Sequence, residues 1–448
     1  MKGKLFPLVL ILTLAFVARL GYMAMFGGLD QEIHDSMSDQ KIYLDLASNM
    51  AAGKGFVVST DIWVAVPGQP TSIMPPLYPV FLAGVFSYVG QNFILVRLIQ
   101  ALLSLIVVAC GYWLGYGLFG RATGILSGVL LALYPASVMY VRPLMSEALF
   151  YPLVMLLALL TWRLWWGNAR MARHLLWGIV AGLAILTRTE AALLVALVAA
   201  FLILRKLFHS QSSSWGKFAL MAVMMLAVLA PYAAYNAQAH GRISFFPNAR
   251  WKLWDHTWWS EMRTHPEWQG VTLPERQVVP NWEQRSEISR DEYLWSTAMI
   301  FIIQNPRTVL LQHTRQALAA YPLIPRELLR DRAVAPDGQA FGPTSLDDVV
   351  QYSTPAEQLR VWAFRLMFVL GILSLILVFK HHLSNAYWLA LFLLWNMAHT
   401  IVLVGSERLR LQIDPILVVL ASTFIVFVYG VAAQSMRSPP IENSQEHS

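Results

Sequence analysis

Long apolar runs that recur along the chain constrain its fold more than any other feature. A helix of about 20 apolar residues crosses the roughly 30 Å hydrocarbon layer of a bilayer. Runs of this kind lie at 5–25, 93–117, 122–140, 145–165, 175–188, 191–205, 217–235, 361–380, 385–404 and 411–433. With 57% hydrophobic and only 13% charged residues, the composition excludes an ordinary soluble domain. The sequence therefore predicts an all-α polytopic membrane protein with about ten transmembrane helices.

Basic residues in the short loops predict how these segments cross the membrane. If the segments alternate, one side collects Arg121, Arg163, Arg170, Arg173, Arg205, Lys206, Lys217, Lys380 and Arg437. Short loops rich in positive charge stay in the cytoplasm. We therefore expect a multi-pass protein of a bacterial cytoplasmic (inner) membrane, with both termini in the cytoplasm. The same loops account for the net charge of +7 without a nucleic-acid partner.

Two regions between the segments are too long to be turns, and both are expected on the periplasmic side. In the first, 26–92, the alternation requires 77–89 to be a juxtamembrane helix rather than a span. In the second, 236–360, helical periodicity is interrupted at Asn305-Pro306, which predicts two short helices on the membrane surface. The predicted organisation is a seven-helix transmembrane module at 1–235, the outer loop at 236–360, C-terminal transmembrane helices at 361–433 and a disordered cytoplasmic tail at 434–448.

Tryptophan is concentrated in the second outer loop, which holds seven of the 17 in the chain. These are Trp251, Trp254, Trp258, Trp259, Trp268, Trp282 and Trp295. Tryptophans beside a membrane form a belt at headgroup depth. The alternative is that they stack against sugar rings or a lipid headgroup.

The first outer loop contains a candidate general base. Ser38 is a suitable N-cap for a helix from Asp39 to about Met50, and the glycines that follow would end it. Asp39 and Tyr43 share one face of that helix at i and i+4. A carboxylate at a helix N-terminus also stabilises the helix dipole, so Asp39 is either a capping-region acid or a base that faces a membrane-level cavity.

Acidic residues are scarce in the transmembrane module, where only Glu147 and Glu190 occur between Asp61 and Asp255. Both are expected at the outer ends of helices. Ionisable groups at the edge of the hydrocarbon tend to be paired or functional. Glu147 either pairs with Arg142 or takes part in chemistry.

Three arginines at outer helix ends are candidate phosphate ligands. Arg188 lies at the tip of a tight hairpin, where it either pairs with Glu190 or binds a phosphate through its planar fork of donors. Arg408 and Arg410 lie at the entry to the last segment. They either extend to the phosphates of bulk membrane lipids or hold the phosphate of one bound lipid.

Other kinds of chemistry lack their usual sequence patterns. The eleven histidines show no metal-binding spacing, so we expect no metal site. The single cysteine, Cys110, lies in an apolar run and permits no internal disulfide. The chain also has no phosphate loop, dinucleotide fingerprint or nucleophile elbow, so we expect no cofactor.

Taken in order, the motifs resemble those of glycosyltransferase family 39, the polyprenyl-phosphate-sugar-dependent GT-C enzymes. This family includes the protein O-mannosyltransferases and the aminoarabinose transferases. The matching motifs are Asp39-x3-Tyr43-x3-Ala47, Gly53 to Phe56, Pro75 to Ala83, Phe119 to Arg121, Met145 to Leu149, Leu186 to Arg188, Pro231 to Gly241, Asn305-Pro306 and Arg408 to Pro415. Two positions depart from the family pattern: Met74 and Tyr235 stand where many relatives have a basic residue.

The resemblance implies that Asp39 is the catalytic base and that Arg188 binds the lipid phosphate. Arg408 and Arg410 are further donor-phosphate candidates. Glu147 would act beside Asp39 in catalysis. The candidate substrate-binding residues are Tyr43, Tyr78 and Glu190.

The function implied by the resemblance is inverting transfer of a sugar, hexosyl or pentosyl, from a polyprenyl-phosphate carrier such as undecaprenyl phosphate. The acceptor would be a hydroxyl on a lipid, a glycan or a protein at the periplasmic face. Two alternatives remain open at this point. One is a ligase or polymerase that uses a polyprenyl diphosphate oligosaccharide. The other is a lipid transporter, although the chain lacks the repeated halves that are common in transporters.

Overall fold

The computed structural model describes residues 2–25, 38–165, 170–208, 214–245, 250–262, 265–268, 270–271, 273–321, 355–380, 386–402 and 410–435. Most of these residues are helical. The helices are α1 (Lys2–Met25), α2 (Ser38–Ala51), α3 (Leu77–Val89), α4 (Phe93–Phe119), α5 (Arg121–Leu133), α6 (Pro135–Met139), α7 (Glu147–Trp165), α8 (Met171–Thr187), α9 (Ala191–Phe208), α10 (Trp215–His240), α11 (Trp251–Trp254), α12 (Ser260–Met262), α13 (Pro274–Val278), α14 (Glu287–Gln304), α15 (Pro306–Ala320), α16 (Pro355–Lys380), α17 (Leu389–Val402) and α18 (Asp414–Ser435).

Nine of the ten predicted segments each correspond to one helix, and the segment at 122–140 contains two. Within the described residues, seven helices are long and apolar enough to cross a membrane: α1, α4, α7, α9, α10, α16 and the last, counted from Leu411. The other three segments, in α5, α8 and α17, contain shorter apolar helices. The chain is therefore an all-α polytopic membrane protein, as predicted.

The segment predicted at 122–140 is not one continuous helix. Helix α5 ends at Leu133, and Tyr134 has an extended backbone with φ −59° and ψ 119°. The reason is Pro135, which disfavours a helical conformation in the residue before it. Proline is accepted at a first helical position, so the short helix α6 begins there.

Aromatic and basic side chains meet at one end of the helices. The Arg205 guanidinium lies 3.9 Å from the centre of the Trp165 ring, and that ring stacks on Phe201 at 5.2 Å between centres. These contacts join the C-terminal ends of α7 and α9. Because α7 begins at Glu147, that acid lies at the opposite end. Arg205 and Glu147 thus lie at opposite ends of the helices, as the alternation of segments requires.

Helix α8 packs closely on α10 through two glycines. A Cβ atom at Gly182 would lie 2.8 Å from the Cβ of Val228, and one at Gly178 would collide with the carbonyl oxygen of Met221. Small residues let two helix backbones approach in a membrane. The contact fixes the position of α8, and with it the position of Arg188 just beyond its end.

The first outer region forms the predicted helices. Helix α2 ends at Ala51 and is followed by Gly53 with a positive φ of 74°. The side chain expected to cap it, Ser38, lies outside the described side chains. The chain then returns towards α10, where the Tyr235 hydroxyl donates to the carbonyl oxygen of Thr71 at 2.8 Å. Helix α3 has 13 residues, which agrees with a juxtamembrane helix rather than a span.

The second outer region also has the predicted break, since α14 ends at Gln304 and α15 begins at Pro306. Its tryptophans were expected either in a membrane belt or free to stack on a ligand, but three of the seven, Trp251, Trp254 and Trp282, are buried inside the protein. For the other four the expectation stays a prediction. Trp254 is fully buried and stacks on Trp258 at 5.3 Å, while Trp251 packs on Trp63 at 4.3 Å. These rings form the core of the outer region because they pack on one another.

Candidate functional site

Arg188 lies between two carboxylates at the helix ends opposite Arg205. It caps the C-terminus of α8 with an extended backbone, φ −152° and ψ 124°. Its Nη1 donates to Glu147 Oε1 at 2.7 Å, and its Nε donates to Glu190 Oε1 at 2.5 Å. We call Glu147, Arg188 and Glu190 the Arg188 cluster. It joins the beginning of α7 to the turn between α8 and α9.

The Arg188 cluster is buried. The exposed fractions of the side chains are 10% for Arg188, 0% for Glu147 and 7% for Glu190. Burial raises the pKa of the Glu190 carboxyl, but the charge of Arg188, with those of Lys252 and His399, outweighs this and lowers the pKa to about 2. Glu190 is therefore ionised at neutral pH. Buried charges need such partners because desolvation alone would neutralise them.

The C-terminal helices complete the surroundings of Glu190. Trp395 of α17 donates from its indole nitrogen to the carbonyl oxygen of Glu190 at 2.9 Å. Gln412, just before α18, has its amide nitrogen 3.5 Å from Glu190 Oε1. Phe150 lies between, with its ring 5.9 Å from the Arg188 guanidinium and 6.3 Å from Trp395. The site thus draws on helices from both ends of the chain.

The segment that leads into Glu147 is held by α2, α3 and α4. Gln40 of α2 accepts from the backbone nitrogen of Leu144 at 2.8 Å. Gln100 of α4 donates to the carbonyl oxygen of Val141 at 2.9 Å and accepts from the Tyr78 hydroxyl at 2.7 Å. These buried hydrogen bonds fix the position of Glu147 relative to the first outer loop.

The predicted base lies on the helix that makes one of these bonds. Asp39 is half-buried in the first turn of α2, directly before Gln40. On the same helix Tyr43 meets Tyr78 edge to face, with 5.0 Å between ring centres. Asp45 differs, because its carboxylate accepts from the Ser59 backbone nitrogen at 2.6 Å and ties α2 to the following loop. Asp45 therefore makes a hydrogen bond that holds the loop after α2 against the helix.

Arg410 belongs to a second buried cluster. Its Nη1 lies 3.4 Å from Asp414 Oδ1, and its guanidinium lies 3.6 Å from the centre of the Phe364 ring. The other oxygen of Asp414 accepts from the Tyr134 hydroxyl at 2.7 Å. This pairing gives Arg410 a structural role, and its predicted contact with a phosphate stays a prediction. Arg408 lies outside the described residues.

Several residues beside the Arg188 cluster were not singled out from the sequence. Ser146 places its hydroxyl 3.4 Å from Arg188 Nη1, and its position directly before Glu147 was the available signal. Trp395 gave no signal, because a tryptophan in an apolar segment is unremarkable. Among the described residues, His399 Nε2 and Gln412 Oε1 are buried without a hydrogen-bond partner. Such atoms accept hydrogen bonds from water or from a ligand hydroxyl.

A metal site is not evident in the described part of the chain, where no three His, Cys, Asp or Glu side chains group as ligands. The buried acids of the Arg188 cluster contact a guanidinium instead. The expectation that no metal is needed stays a prediction.

A family comparison covers most of the transmembrane module. Residues 74–235 match the family model described as dolichyl-phosphate-mannose-protein mannosyltransferase. The matched range includes Tyr78 and the whole Arg188 cluster, but it begins after Asp39. The match confirms the resemblance to GT-C glycosyltransferases over this range. Comparison with curated protein sequences gives no match.

A solved oligosaccharyltransferase structure shares the fold. The oligosaccharyltransferase AglB from Archaeoglobus fulgidus, in complex with an inhibitory peptide and a dolichol-phosphate, aligns with a TM-score of 0.52 and 15% identity, covering 100% of this chain and 53% of AglB. The chain thus spans about half the length of that enzyme. ArnT from Cupriavidus metallidurans bound to undecaprenyl phosphate aligns with a TM-score of 0.43 and 14% identity, covering 97% of this chain and 81% of ArnT. The fold is of the GT-C type.

Proposed function

We propose that this protein is an inverting glycosyltransferase that moves one sugar from a polyprenyl-phosphate carrier to an acceptor hydroxyl. The acceptor is a lipid, a glycan or a protein, and the reaction takes place at the periplasmic face of a bacterial cytoplasmic membrane. The observation that carries the proposal is the buried Arg188 cluster at the helix ends opposite the basic loops. The family match over 74–235 and the fold shared with AglB support it.

The charges around Arg188 suggest how a carrier phosphate binds. The carboxylates of the cluster balance Arg188 and Lys252, whose charge acts on Glu190. An arriving phosphate adds a negative charge that must be accommodated. We expect the phosphate to displace one carboxylate from the guanidinium, which recognises phosphate through paired donors. The displaced carboxylate would then accept a hydrogen bond from a sugar hydroxyl.

The transfer itself is a direct displacement at the anomeric carbon. The acceptor oxygen forms a bond to that carbon as the bond to the phosphate oxygen breaks, and the configuration inverts. Asp39 takes the proton of the acceptor hydroxyl. Arg188 stabilises the charge that grows on the departing polyprenyl phosphate. The mechanism requires no nucleotide and no obligatory metal.

A donor panel tests the function. Purified protein is incubated with several polyprenyl-phosphate sugars and with one polyprenyl diphosphate oligosaccharide, using a membrane extract as the acceptor source. Release of free polyprenyl phosphate is measured by mass spectrometry. Turnover of a monophosphate donor is the expected result. Turnover of the diphosphate donor alone would identify a ligase or polymerase, and turnover of none would overturn the proposal.

Asp39→Asn tests the assignment of the base. The change keeps the size of the side chain and removes its ability to take a proton, so transfer should fall by about 10² to 10⁴-fold. Donor binding should persist, because the proposed phosphate contact is with Arg188.

Asp45→Asn is the matched control on the same helix. It weakens the bond to Ser59, so stability should fall while turnover of the folded protein stays near normal. A folded Asp39→Asn protein with normal transfer would contradict the assignment. Asp35 precedes Asp39 by four residues in the first outer loop, and loss of activity in Asp35→Asn instead would move the base there.

A further inference from the structure

A half-open cavity of about 320 Å³ lies in the outer region, where the chain leaves α10 and later enters α14. Its lining residues are Arg242, Ile243, Ser244, Arg250, Ile288 and Glu292. The cavity therefore combines two guanidinium groups with one carboxylate and two apolar side chains. None of these residues belongs to the Arg188 cluster.

Two guanidinium groups contact one carboxylate in this cavity. Arg242 and Arg250 both approach the same oxygen of Glu292, Oε1, and the Arg250 contact is 3.4 Å. The buried carboxyl of Asp291 also interacts with Arg250 from below the lining. The exposed fractions of the side chains are 59%, 48% and 36% for Arg242, Arg250 and Glu292, so solvent and solutes reach them. We call these three residues the Glu292 cluster.

Buried hydrogen bonds hold the backbone on both sides of the cavity. Asn236, which is fully buried in α10, donates from its side-chain nitrogen to the carbonyl oxygen of Ser244 at 2.8 Å. Asp291 of α14, also fully buried, accepts from the backbone nitrogen of Trp251 at 2.7 Å. These bonds anchor the chain next to Arg242 and Arg250. The backbone beside each arginine is therefore held in place.

We propose that the Glu292 cluster binds the phosphate group of a membrane lipid headgroup or of a soluble phosphate ester, with Glu292 as a competitor for the arginines. Guanidinium forks match the paired oxygens of phosphate. The apolar side chains of Ile243 and Ile288 offer a surface to the organic part of the ligand. This site is separate from the carrier phosphate assigned to Arg188 and does not depend on the proposed transfer reaction.

Because Glu292 competes with phosphate for the arginines, substitutions in the Glu292 cluster should change the affinity for phosphate in opposite directions. Inorganic phosphate is titrated into purified protein in phosphatidylcholine nanodiscs, and binding is followed by broadening of the ³¹P NMR signal. Arg242→Gln or Arg250→Gln should weaken binding about fivefold, the scale of one charge interaction at an exposed site. Glu292→Gln should tighten binding by a similar factor because it frees the arginines.

A second arm distinguishes the source of the phosphate. Nanodiscs that also contain phosphatidic acid are examined by native mass spectrometry for lipid retained by the protein. Dependence on Arg242 in this arm identifies a lipid headgroup, and dependence in the inorganic phosphate arm alone identifies a soluble ester. Either result supports the proposal.

Arg276→Gln is the matched control, because Arg276 is an outer-loop arginine that is 36% exposed and pairs with one carboxylate, Asp61, at 2.5 Å. It should leave both arms unchanged. Equal binding in wild type, Arg242→Gln and Arg250→Gln in both arms would overturn the proposal. So would a Glu292→Gln protein that binds phosphate no better than wild type. A protein that releases no polyprenyl phosphate but shows these changes would contradict only the proposed transfer.

Discussion

The Arg188 cluster and the Glu292 cluster use the same residue types in opposite proportions. The first sets one guanidinium between two carboxylates, with no side chain more than 10% exposed. The second sets two guanidiniums around one carboxylate, and its side chains are 36% to 59% exposed. Carboxylates outnumber guanidinium groups in the buried cluster, where Lys252 also acts on Glu190, and guanidinium groups outnumber carboxylates in the exposed one.

Burial determines what each cluster can do. Desolvated charges interact strongly, and removing one partner leaves the others buried and uncompensated. Exposed charges are screened by water and salt, so each contact contributes little and can be exchanged for another. The Arg188 cluster is therefore suited to hold reacting groups in fixed positions. The Glu292 cluster is suited to exchange its carboxylate for an incoming anion.

Arg188→Ala should have the largest effect of the predicted changes. It leaves Glu147 and Glu190 buried without their guanidinium, and breaking a buried ion pair in this way costs about 3–5 kcal/mol. Donor binding and transfer should also fall sharply, because the proposed phosphate ligand is gone. Thermal unfolding followed by tryptophan fluorescence measures the first effect, and titration with the donor lipid measures the second.

Arg188→Lys separates the two roles if the alanine variant fails to fold. Lysine keeps the positive charge and loses the planar fork, so stability should be largely retained while donor binding recovers only in part. A folded Arg188→Ala protein with normal donor affinity and turnover would make Arg188 a structural partner of Glu190, the alternative that the sequence left open.

The sequence could predict those parts of the site that follow from where the helices end. Glu147, Arg188 and Glu190 were expected on one side of the membrane because the spans alternate and each residue falls at an outer end. Which of them touch was not predictable: a pair between Glu147 and Arg142 was one of the open alternatives, and in the structure Glu147 pairs with Arg188. Contacts between residues 41 positions apart depend on how α7 and α8 pack, and the hydrophobic pattern does not record that packing.

Tertiary packing also explains most of the remaining differences. The exception is the break at Pro135, which has a local cause, but the apolar run continues through it and suggested one helix. A tryptophan beside a membrane is typical of a belt, but Trp254 is buried because other rings cover it. Trp395 and Gln412 reach Glu190 from more than 200 positions away. Local patterns therefore predicted the helices and their ends, whereas side-chain partners required the structure.

A pH dependence of stability should distinguish the outer region from the Arg188 cluster. Asp291 is fully buried, and burial raises the pKa of its carboxyl from 3.8 to about 7. Arg250 and the backbone bond from Trp251 act against this, and Glu287 adds to it. Burial likewise raises the pKa of Glu275 from 4.5 to about 7, with a further contribution from Asp255. Both carboxyls thus titrate near neutrality, unlike Glu190.

The direction of the change in stability with pH depends on whether the folded or the unfolded protein binds the proton more tightly. The folded outer region holds these protons up to about pH 7, whereas the unfolded chain releases them near pH 4. Stability should therefore be greatest below about pH 4 and decline as the pH rises through 7, by the order of a few kcal/mol. Glu190 acts in the opposite sense, because its stabilisation is present above its unfolded pKa and is lost as the pH falls towards 2.

Hydrogen exchange of the amides in α11, compared at pH 5.5 and pH 8, measures this effect locally. Faster opening at pH 8 is expected, after correction for the intrinsic exchange rate. Asp291→Asn should reduce the difference because the amide cannot ionise. A difference of the same size in Asp291→Asn would show that another group controls the outer region.

The smallest effect is expected for Arg276→Ala, which removes an ion pair of good geometry from an exposed surface. Arg276 lies 2.5 Å from Asp61, and both side chains are about one third exposed. An exposed pair of this kind contributes about 0.2–1 kcal/mol, and salt weakens it further. The unfolding midpoint should therefore shift only slightly in low salt and not at all in high salt, while Arg188→Ala remains destabilised in both. If Arg276→Ala were as destabilising as Arg188→Ala, burial would not be what distinguishes the two regions, and the fixed role given to the Arg188 cluster would lose its physical basis.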